Sequence, residues 1–313
     1  MRALYAKDPG EPLTIQEVEI PKPGPGEVLV RVEAAGINPS DMNNVDGRFP
    51  VTIFPCIPGR DFAGTVIEGP DEWKGQPVFG SVASLGFTRP GTHADTVVVP
   101  IAGLVKRPDS ISPSQAGALG VPYTTAWQAL IAAAHLEPGD TAIITGGRGA
   151  VATAALQIGH WAGARMIGVS HGDPDPMEGV EWVKLRPGWA DEALAMTEGR
   201  GADVILDMVG GEVFRECQQA LGYRGRMAAI ASPSHPLVSL PILDFYHQQQ
   251  TLLGVDSLKF VPEDSRNILS RIVYGIVSGA LAGLPISEAR LDDAVDVYQN
   301  LKHGTHGKWV LIP

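Results

Sequence analysis

The chain has 313 residues, with 24 Lys and Arg against 35 Asp and Glu, a net charge of −11, and 44% hydrophobic residues. That length exceeds one small core and suits about two domains, while the composition excludes general disorder. The acidic balance offers no footprint for nucleic acid and repels anionic membranes. Two cysteines, Cys56 and Cys217, are too few for a disulfide scaffold or a four-thiolate metal site. No apolar run reaches the ~20 residues of a membrane helix, and no secretory apolar region follows Met1. The expectation is a cytoplasmic protein without nucleic-acid or membrane partners.

Up to about residue 110 the pattern is β. Met1 to Ala6 reads as a strand. Val28, Val30 and Val32 alternate with Leu29, Arg31 and Glu33 as in a half-buried strand. Phe62–Ile67, Gln76–Gly80 and His93–Val99 read as further strands. Pro and Gly punctuate them at 21–26, 58–59 and 90–91, as turns in a barrel or folded sheet would.

From about 112 the pattern changes. Ser112 to Ala118 and Thr124 to His135 read as two helices. Thr141–Thr145 is a short apolar strand, and Ala150–Ala162 a helix with Val151, Ala155, Ile158 and Ala162 on one face. Arg165–Val169, Asp203–Asp207, Arg226–Ile230 and Leu252–Val255 read as strands, with a helix over Glu212–Leu221. Strands alternating with helices imply a parallel sheet. Pro174 and Pro176 argue against a long helix after Arg165–Val169, leaving a loop on that side. Two helices, Asp264–Ala280 and Leu291–Leu301, precede a terminal strand, Gly307–Ile312. That strand has no place in the parallel pattern and is expected to return to the first domain.

Gly147-Arg148-Gly149-Ala150-Val151-Ala152 follows an apolar strand and opens a helix, as a dinucleotide-binding turn does. Gly147 would allow the tight turn, Gly149 would admit a pyrophosphate, and Ala152 would permit close helix packing. The helix N-terminus would add unpaired N–H groups and a partial positive charge. An NAD site wants an acid at the end of the second strand. Here that end reads Ser170-His171. The expectation is NADP (NADPH), with Ser170, His171 and Arg148 around the 2′-phosphate. Lys184, Arg186, Arg224 and Arg226 read as solvated surface.

The whole chain resembles the medium-chain dehydrogenase/reductase superfamily, and within it the zinc-independent quinone oxidoreductase and enoyl reductase branches. The motifs that carry this are Gly24-Pro25-Gly26-Glu27-Val28-Leu29-Val30, Gly36-Ile37-Asn38-Pro39-Ser40-Asp41, Pro58-Gly59-Arg60-Asp61-Phe62-Ala63-Gly64, Tyr123-Thr124-Thr125-Ala126-Trp127, Asp207-Met208-Val209-Gly210-Gly211 and Gly307-Lys308-Trp309-Val310-Leu311. The resemblance implies an α/β chain: a GroES-like β-barrel catalytic domain over 1–121, completed by 258–313, and a Rossmann domain with a doubly wound parallel sheet over 122–257. It also implies a homodimer paired through the sheet edge near Leu252–Val255.

By the same resemblance, the positions of the catalytic zinc ligands carry Asn38, Arg60 and Val121. None is a thiolate or imidazole, so no zinc is expected. Asn38 either bonds the nicotinamide ribose or substrate carbonyl, or serves the turn beside Pro39. Thr125 either touches the nicotinamide or caps a helix. Tyr123 either donates a proton or is a packed aromatic. Asp41 is expected to order its loop by pairing with Arg60. Val209, Ile230, Ala231 and Ser232 end strands at the carboxyl edge, where such sheets bind ligands, or are simply turns. Related reductases often place a Tyr where this chain has Phe49. The implied activity is hydride transfer from NADPH to a quinone or other α,β-unsaturated carbonyl. The alternatives are an enoyl-thioester reductase, and a coenzyme-binding protein that has lost turnover.

Overall fold

A computed structural model describes residues 1–231, 237–304 and 307–313. In chain order the first elements are β1 (Arg2–Tyr5), β2 (Thr14–Glu17), β3 (Glu27–Gly36), α1 (Pro39–Val45), β4 (Asp61–Glu68), β5 (Pro77–Ser81), β6 (Thr96–Pro100), β7 (Val105–Lys106) and α2 (Pro113–Trp127). They continue with β8 (Thr141–Ile144), α3 (Ala150–Trp161), β9 (Arg165–Ser170), β10 (Val180–Lys184), α4 (Trp189–Met196), β11 (Ala202–Asp207), α5 (Glu212–Ala220), β12 (Leu221–Ala229), α6 (Ile242–His247) and β13 (Thr251–Gly254). The last are α7 (Pro262–Val277), β14 (Ile286–Arg290), α8 (Ala294–Lys302) and β15 (Lys308–Ile312).

The chain forms two compact units, Met1–Thr124 with Ser257–Pro313, and Thr125–Asp256. The division falls inside α2.

The first unit holds a seven-stranded sheet, ordered β14-β15-β3-β4-β5-β7, with β6 also on β3. Its core gathers Val28, Val30, Val32, Phe62, Val66, Val78, Leu85, Val97 and Val99. The alternation in β3 is weaker than expected. Leu29 is buried as well, and only Arg31 is fully exposed. The reason is position: β3 pairs with β4 on one side and with β6 and β15 on the other. The terminal strand does return to this unit, with Val310 opposite Gly36 and Leu311 opposite Ala35. Arg290 at the end of β14 pairs in register with Ile312.

The second unit holds a six-stranded sheet, ordered β10-β9-β8-β11-β12-β13, and every pairing in it is parallel. Chain order runs outward in both directions from the β8/β11 pair, which makes that pair the switch point of a doubly wound sheet. Ile143, Ile167, Val169, Val183, Trp189, Ile205, Phe214 and Met227 form its core.

Several elements differ from the sequence reading. The two expected helices over 112–118 and 124–135 are one α2, running through Pro122 into a π-helical turn at Gln128–Ala133. Ser112 and Gln115 start α2 with reciprocal side-chain-to-backbone bonds of 3.2 Å each, a capping box. In α3 the buried residues are Ala152, Ala154, Ala155, Leu156, Ile158 and Gly159, whereas Val151 and Ala162 are half-buried. Small alanines let the helix sink deeply, so the inward face is broader than a 3.6-residue stripe of large side chains. No long helix follows β9, in line with the two prolines. The strand β10 and the short helices α4 and α6 were not legible, and neither were β2 and β14.

Candidate active site

The carboxyl edge of the six-stranded sheet collects most of the expected coenzyme residues. Ile144 on β8 pairs with Gly168 on β9, Leu206 on β11 pairs with Ile144, and Asp207 pairs with Ala229 on β12. The residues just beyond those pairs are therefore neighbours: Gly147, Arg148 and Gly149 after β8, Ser170 and His171 at β9, Val209 after β11, and Ile230 and Ala231 after β12. Ser232 lies outside the described residues.

The tight turn is made by Gly146, with φ +66°, and not by Gly147. Gly147 is required for space. A Cβ there would stand 2.6 Å from the Trp182 ring, 3.2 Å from the Val169 carbonyl and 3.3 Å from the Ser170 Cβ. Its N–H already donates to the Val169 carbonyl at 3.0 Å, so that donor is committed to the fold. Gly149 is the N-cap of α3 and supplies no side-chain cap. The first-turn N–H groups of Ala150, Val151 and Ala152 thus lie at an uncapped, glycine-lined helix start, where a pyrophosphate fits. Gly146 lies beside Met208 and Val209, each 3.8 Å from where its Cβ would be.

Ser170 is buried, and its hydroxyl donates to the His171 carbonyl at 3.1 Å. His171 is exposed. The Arg148 guanidinium reaches to 3.9 Å from where a Cβ of Gly172 would be, which places it over the start of the β9–β10 loop. Lys184, read from sequence as mere surface, pairs in register with Ser170. It stands two residues after Trp182, whose ring packs over Gly147 and Gly168, so both side chains leave the strand on that face. The missing signal was β10 itself, since without that strand Lys184 has no address. Arg226 is not free surface either; it donates to the Asp140 carboxylate at 2.8 Å and to the His135 carbonyl at 2.8 Å.

Asp207 is buried at the end of β11. Its Oδ1 accepts from the backbone N–H of Val209 at 2.9 Å and of Gly210 at 3.1 Å, which shapes that turn. Its Oδ2 is buried without a hydrogen bond, as is the hydroxyl of Thr125 on α2.

The first unit carries a second polar cluster, centred on Asp61. One carboxylate oxygen accepts from the Val121 N–H at 2.9 Å. The other accepts from Asn38 Nδ2 at 2.9 Å and from Lys308 Nζ at 3.4 Å. Lys308 also donates to Asn38 Oδ1 at 2.7 Å and to the Ile37 carbonyl at 3.2 Å. Three acceptors around one nitrogen match the three donors of an ammonium. Burial lowers the Lys308 pKa from its ordinary value, while Asp61 pulls it back up.

Asp41 does not pair with Arg60. Its Oδ2 accepts the Asn38 N–H at 2.8 Å at the start of α1, and its Oδ1 is buried without a partner. Burial pushes its carboxyl up to about 6, against the opposing charge of Arg60. Behind the cluster, His93 Nε2 lies 3.3 Å from the Gly36 carbonyl and Nδ1 lies 2.9 Å from the Tyr298 hydroxyl. A carbonyl only accepts, so Nε2 carries the proton and Nδ1 accepts from Tyr298. Burial depresses the His93 pKa to about 4, which keeps the ring neutral.

Asn38 is therefore buried, with both ends of its amide engaged. Tyr123 is fully buried inside α2, and burial raises its phenol pKa, which makes it a weaker acid. A divalent metal does not fit the Asp61 cluster. It holds two carboxylates, Asp61 and Asp41, an amide and two cations, Arg60 and Lys308, and no thiolate. Its one imidazole, His93, is already bonded at both nitrogens. Among the described residues no group of three or more His, Cys, Asp or Glu could hold a metal ion.

Residues 24–109 match the alcohol dehydrogenase GroES-like domain, and 150–273 match the zinc-binding dehydrogenase domain. A fission yeast protein (Schizosaccharomyces pombe), zinc-type alcohol dehydrogenase-like protein C337.11, is 34% identical over 99% of this chain and 96% of its own length. The chain belongs to the medium-chain dehydrogenase/reductase superfamily, in its quinone oxidoreductase-like branch. Human quinone oxidoreductase is 25% identical over all of this chain and 98% of its own. The crystal structure of an NAD-dependent alcohol dehydrogenase superposes over all of both chains with a TM-score of 0.89 at 28% identity. Membership makes the protein a medium-chain oxidoreductase with a GroES-like domain and a Rossmann-like domain. No helix among the described residues is long and apolar enough to cross a membrane.

Proposed function

We propose that this protein is an NADPH-dependent, zinc-independent reductase of quinones or other α,β-unsaturated carbonyls. The observation that carries the reading is the Lys308 ammonium 2.7 Å from Asn38 Oδ1 and beside Asp61, in a cluster that also holds Arg60. Two buried cations and no thiolate disfavour a divalent metal in this cluster, which supports the zinc-independent reading. Without a Lewis acid, reduction of an already electron-poor carbon is the favoured chemistry, because the substrate's own carbonyl spreads the arriving charge.

The coenzyme supplies a hydride when bound. The glycine-lined start of α3, from Gly147 to Val151, receives its pyrophosphate. Arg148, Ser170, His171 and Lys184 take the 2′-phosphate, with two cations where an NAD site would carry an acid. Val209, Ile230 and Ala231 border the coenzyme, and the orphaned Thr125 hydroxyl bonds its nicotinamide end. Asn38 is held in one amide orientation by Lys308 and Asp61, and offers its remaining Nδ2–H to the ribose or substrate. Water supplies the final proton, since Tyr123 is a buried, weakened acid. The protein pairs as a homodimer through β13, an edge strand that exposes Thr251 and Leu252; light scattering that gives a monomer at micromolar concentration refutes the pairing.

The test is oxidation of NADPH and NADH with quinones, enones, enoyl thioesters and simple aldehydes, with metal content measured on the same sample. Turnover of quinones or enones, preferring NADPH and indifferent to chelators, is expected. Preference for thioesters marks an enoyl reductase. Tight NADPH binding without turnover marks a protein that only binds coenzyme. One zinc per chain, with activity lost to chelation, overturns the reading.

A further inference from the structure

Arg60 is the least accounted-for charge in the first unit. The residue is 2% exposed. It follows Gly59, whose φ of +99° and close packing against Thr92 and His93 fix the direction in which the chain enters β4. A buried guanidinium is costly unless charge-paired, and the usual partner is a carboxylate held by two parallel bonds. Arg60 makes no ion pair within 4.0 Å among the described residues. Asp61 is committed to Val121, Asn38 and Lys308, and Asp41, whose carboxyl feels the Arg60 charge, accepts the Asn38 N–H and makes no bond to the guanidinium.

Two neutral hydroxyls hold Arg60 instead. One Nη donates to Ser40 Oγ at 3.0 Å and the other to Ser257 Oγ at 3.3 Å. Its Nε is buried with no hydrogen bond at all. Both serines are half-exposed, so the outer edge of the guanidinium lies one hydroxyl from solvent. On its flat side Arg60 stands 5.6 Å over the Phe87 ring, and Phe49 meets Phe87 edge-on with centroids 5.3 Å apart. The cation thus sits in an aromatic, low-dielectric setting, with its donors held by neutral hydroxyls and no carboxylate bonded to them, Asp41 acting on it only through space. That is the arrangement that stabilises charge which develops only during reaction.

We propose that the Arg60 guanidinium binds the substrate's carbonyl oxygen and stabilises the enolate formed as hydride arrives. This rests on the reading of the protein as a reductase of unsaturated carbonyls. The hydride adds with its electron pair to the β-carbon. The C=C pair shifts to close a new C=C bond toward the carbonyl carbon, and the carbonyl π pair goes to oxygen. Arg60 donates to that oxyanion. A proton from water then restores the carbonyl, or in a quinone completes the hydroquinone, while the nicotinamide leaves oxidised. Ser40 and Ser257 are positioning residues, which orient the fork and yield one bond to the incoming oxygen. The Phe49–Phe87 pair gives a flat apolar wall suited to a planar acceptor.

The experiment compares wild type with R60M on the full protein. Turnover of the best acceptor is expected to fall at least 100-fold in R60M, with the NADPH dissociation constant unchanged within twofold. Added guanidinium ion restores part of the turnover in R60A, which a purely structural role would not show. Binding of 4-nitrophenolate, an oxyanion probe followed by its absorption band, is expected to be at least tenfold tighter in wild type than in R60M. Turnover in R60M within threefold of wild type overturns the proposal, and so does equal phenolate binding. If the wild type reduces no acceptor, the functional reading fails, and the phenolate comparison alone decides for or against the oxyanion site. Where R60M does not fold, R60Q takes its place in both measurements.

Discussion

Lys308 Nζ lies 2.7 Å from Asn38 Oδ1, so a residue of the last strand fixes the amide at the first turn of α1, 270 positions earlier in the chain. The same ammonium supports Asp61, and both groups are almost wholly buried. K308M removes the cation and leaves a buried carboxylate short of its charge partner. A loss of about 3–5 kcal/mol in unfolding free energy is expected. Urea titration measures it, and a change below about 1 kcal/mol would show that the cluster reorganises without cost.

The cluster contains two titrations of opposite sign. His93 has a folded pKa of about 4 against 6.5 for the free side chain. Between those values the unfolded chain binds the extra proton, so this group lowers stability as pH falls. Asp41 has a folded pKa of about 6 against 3.8. Between those values the folded chain binds the extra proton, so this group lowers stability as pH rises. From pH 4 to 6 the two slopes, each at most roughly 1.4 kcal/mol per pH unit, oppose one another. D41N keeps an acceptor for the Asn38 N–H but removes one of the slopes. Its stability is expected to drop more steeply than that of wild type on acidification from pH 6 to 4. Equal pH slopes for the two proteins in denaturant titrations would contradict the assignment.

Trp182 packs so closely over Gly168 and Gly147 that a methyl group on either would overlap its ring. G168A is therefore expected to destabilise the second unit by about 1–3 kcal/mol through overpacking. In a W182A background the same change becomes nearly neutral, because the obstructing ring is gone. A double-mutant cycle reads this coupling directly. Additive effects would mean that the tryptophan moves aside freely.

On the proposed reading, Arg148 and Lys184 select the coenzyme. R148A and K184A are each expected to weaken NADPH binding about tenfold, the loss of one charge-assisted phosphate contact. NADH binding stays within twofold. Fluorescence titration with both coenzymes checks this, and an equal loss for both would move these residues away from the 2′-phosphate.

Much of the architecture was legible in local patterns. The strand–glycine–helix succession at 141–161 carried its own signature, because the turn, the helix start and the small residues lie within a few positions of one another. The return of Lys308–Ile312 to the first unit was legible by elimination, since a lone strand must find a partner. The strand β10 was hidden. Its residues Glu181, Trp182 and Lys184 alternate only loosely, and a proline-rich loop precedes them. That one omission concealed the cation opposite Ser170.

From its own residues alone, the chain made legible its α/β class and the strand–glycine–helix succession at 141–161. Each of these depends on residue type and on spacing over short stretches. Folding in three dimensions alone decided that Gly146, not Gly147, makes the turn, and that Asp41 caps Asn38 in place of pairing with Arg60. It alone decided that Arg60 is buried between two serines with no carboxylate bonded to it. The physical reason is that hydrogen bonds and charges are short-ranged. Their partners come from Ser40, Ser257, Asp61 and Lys308, far apart along the chain, and only packing brings them within about 3 Å of one another.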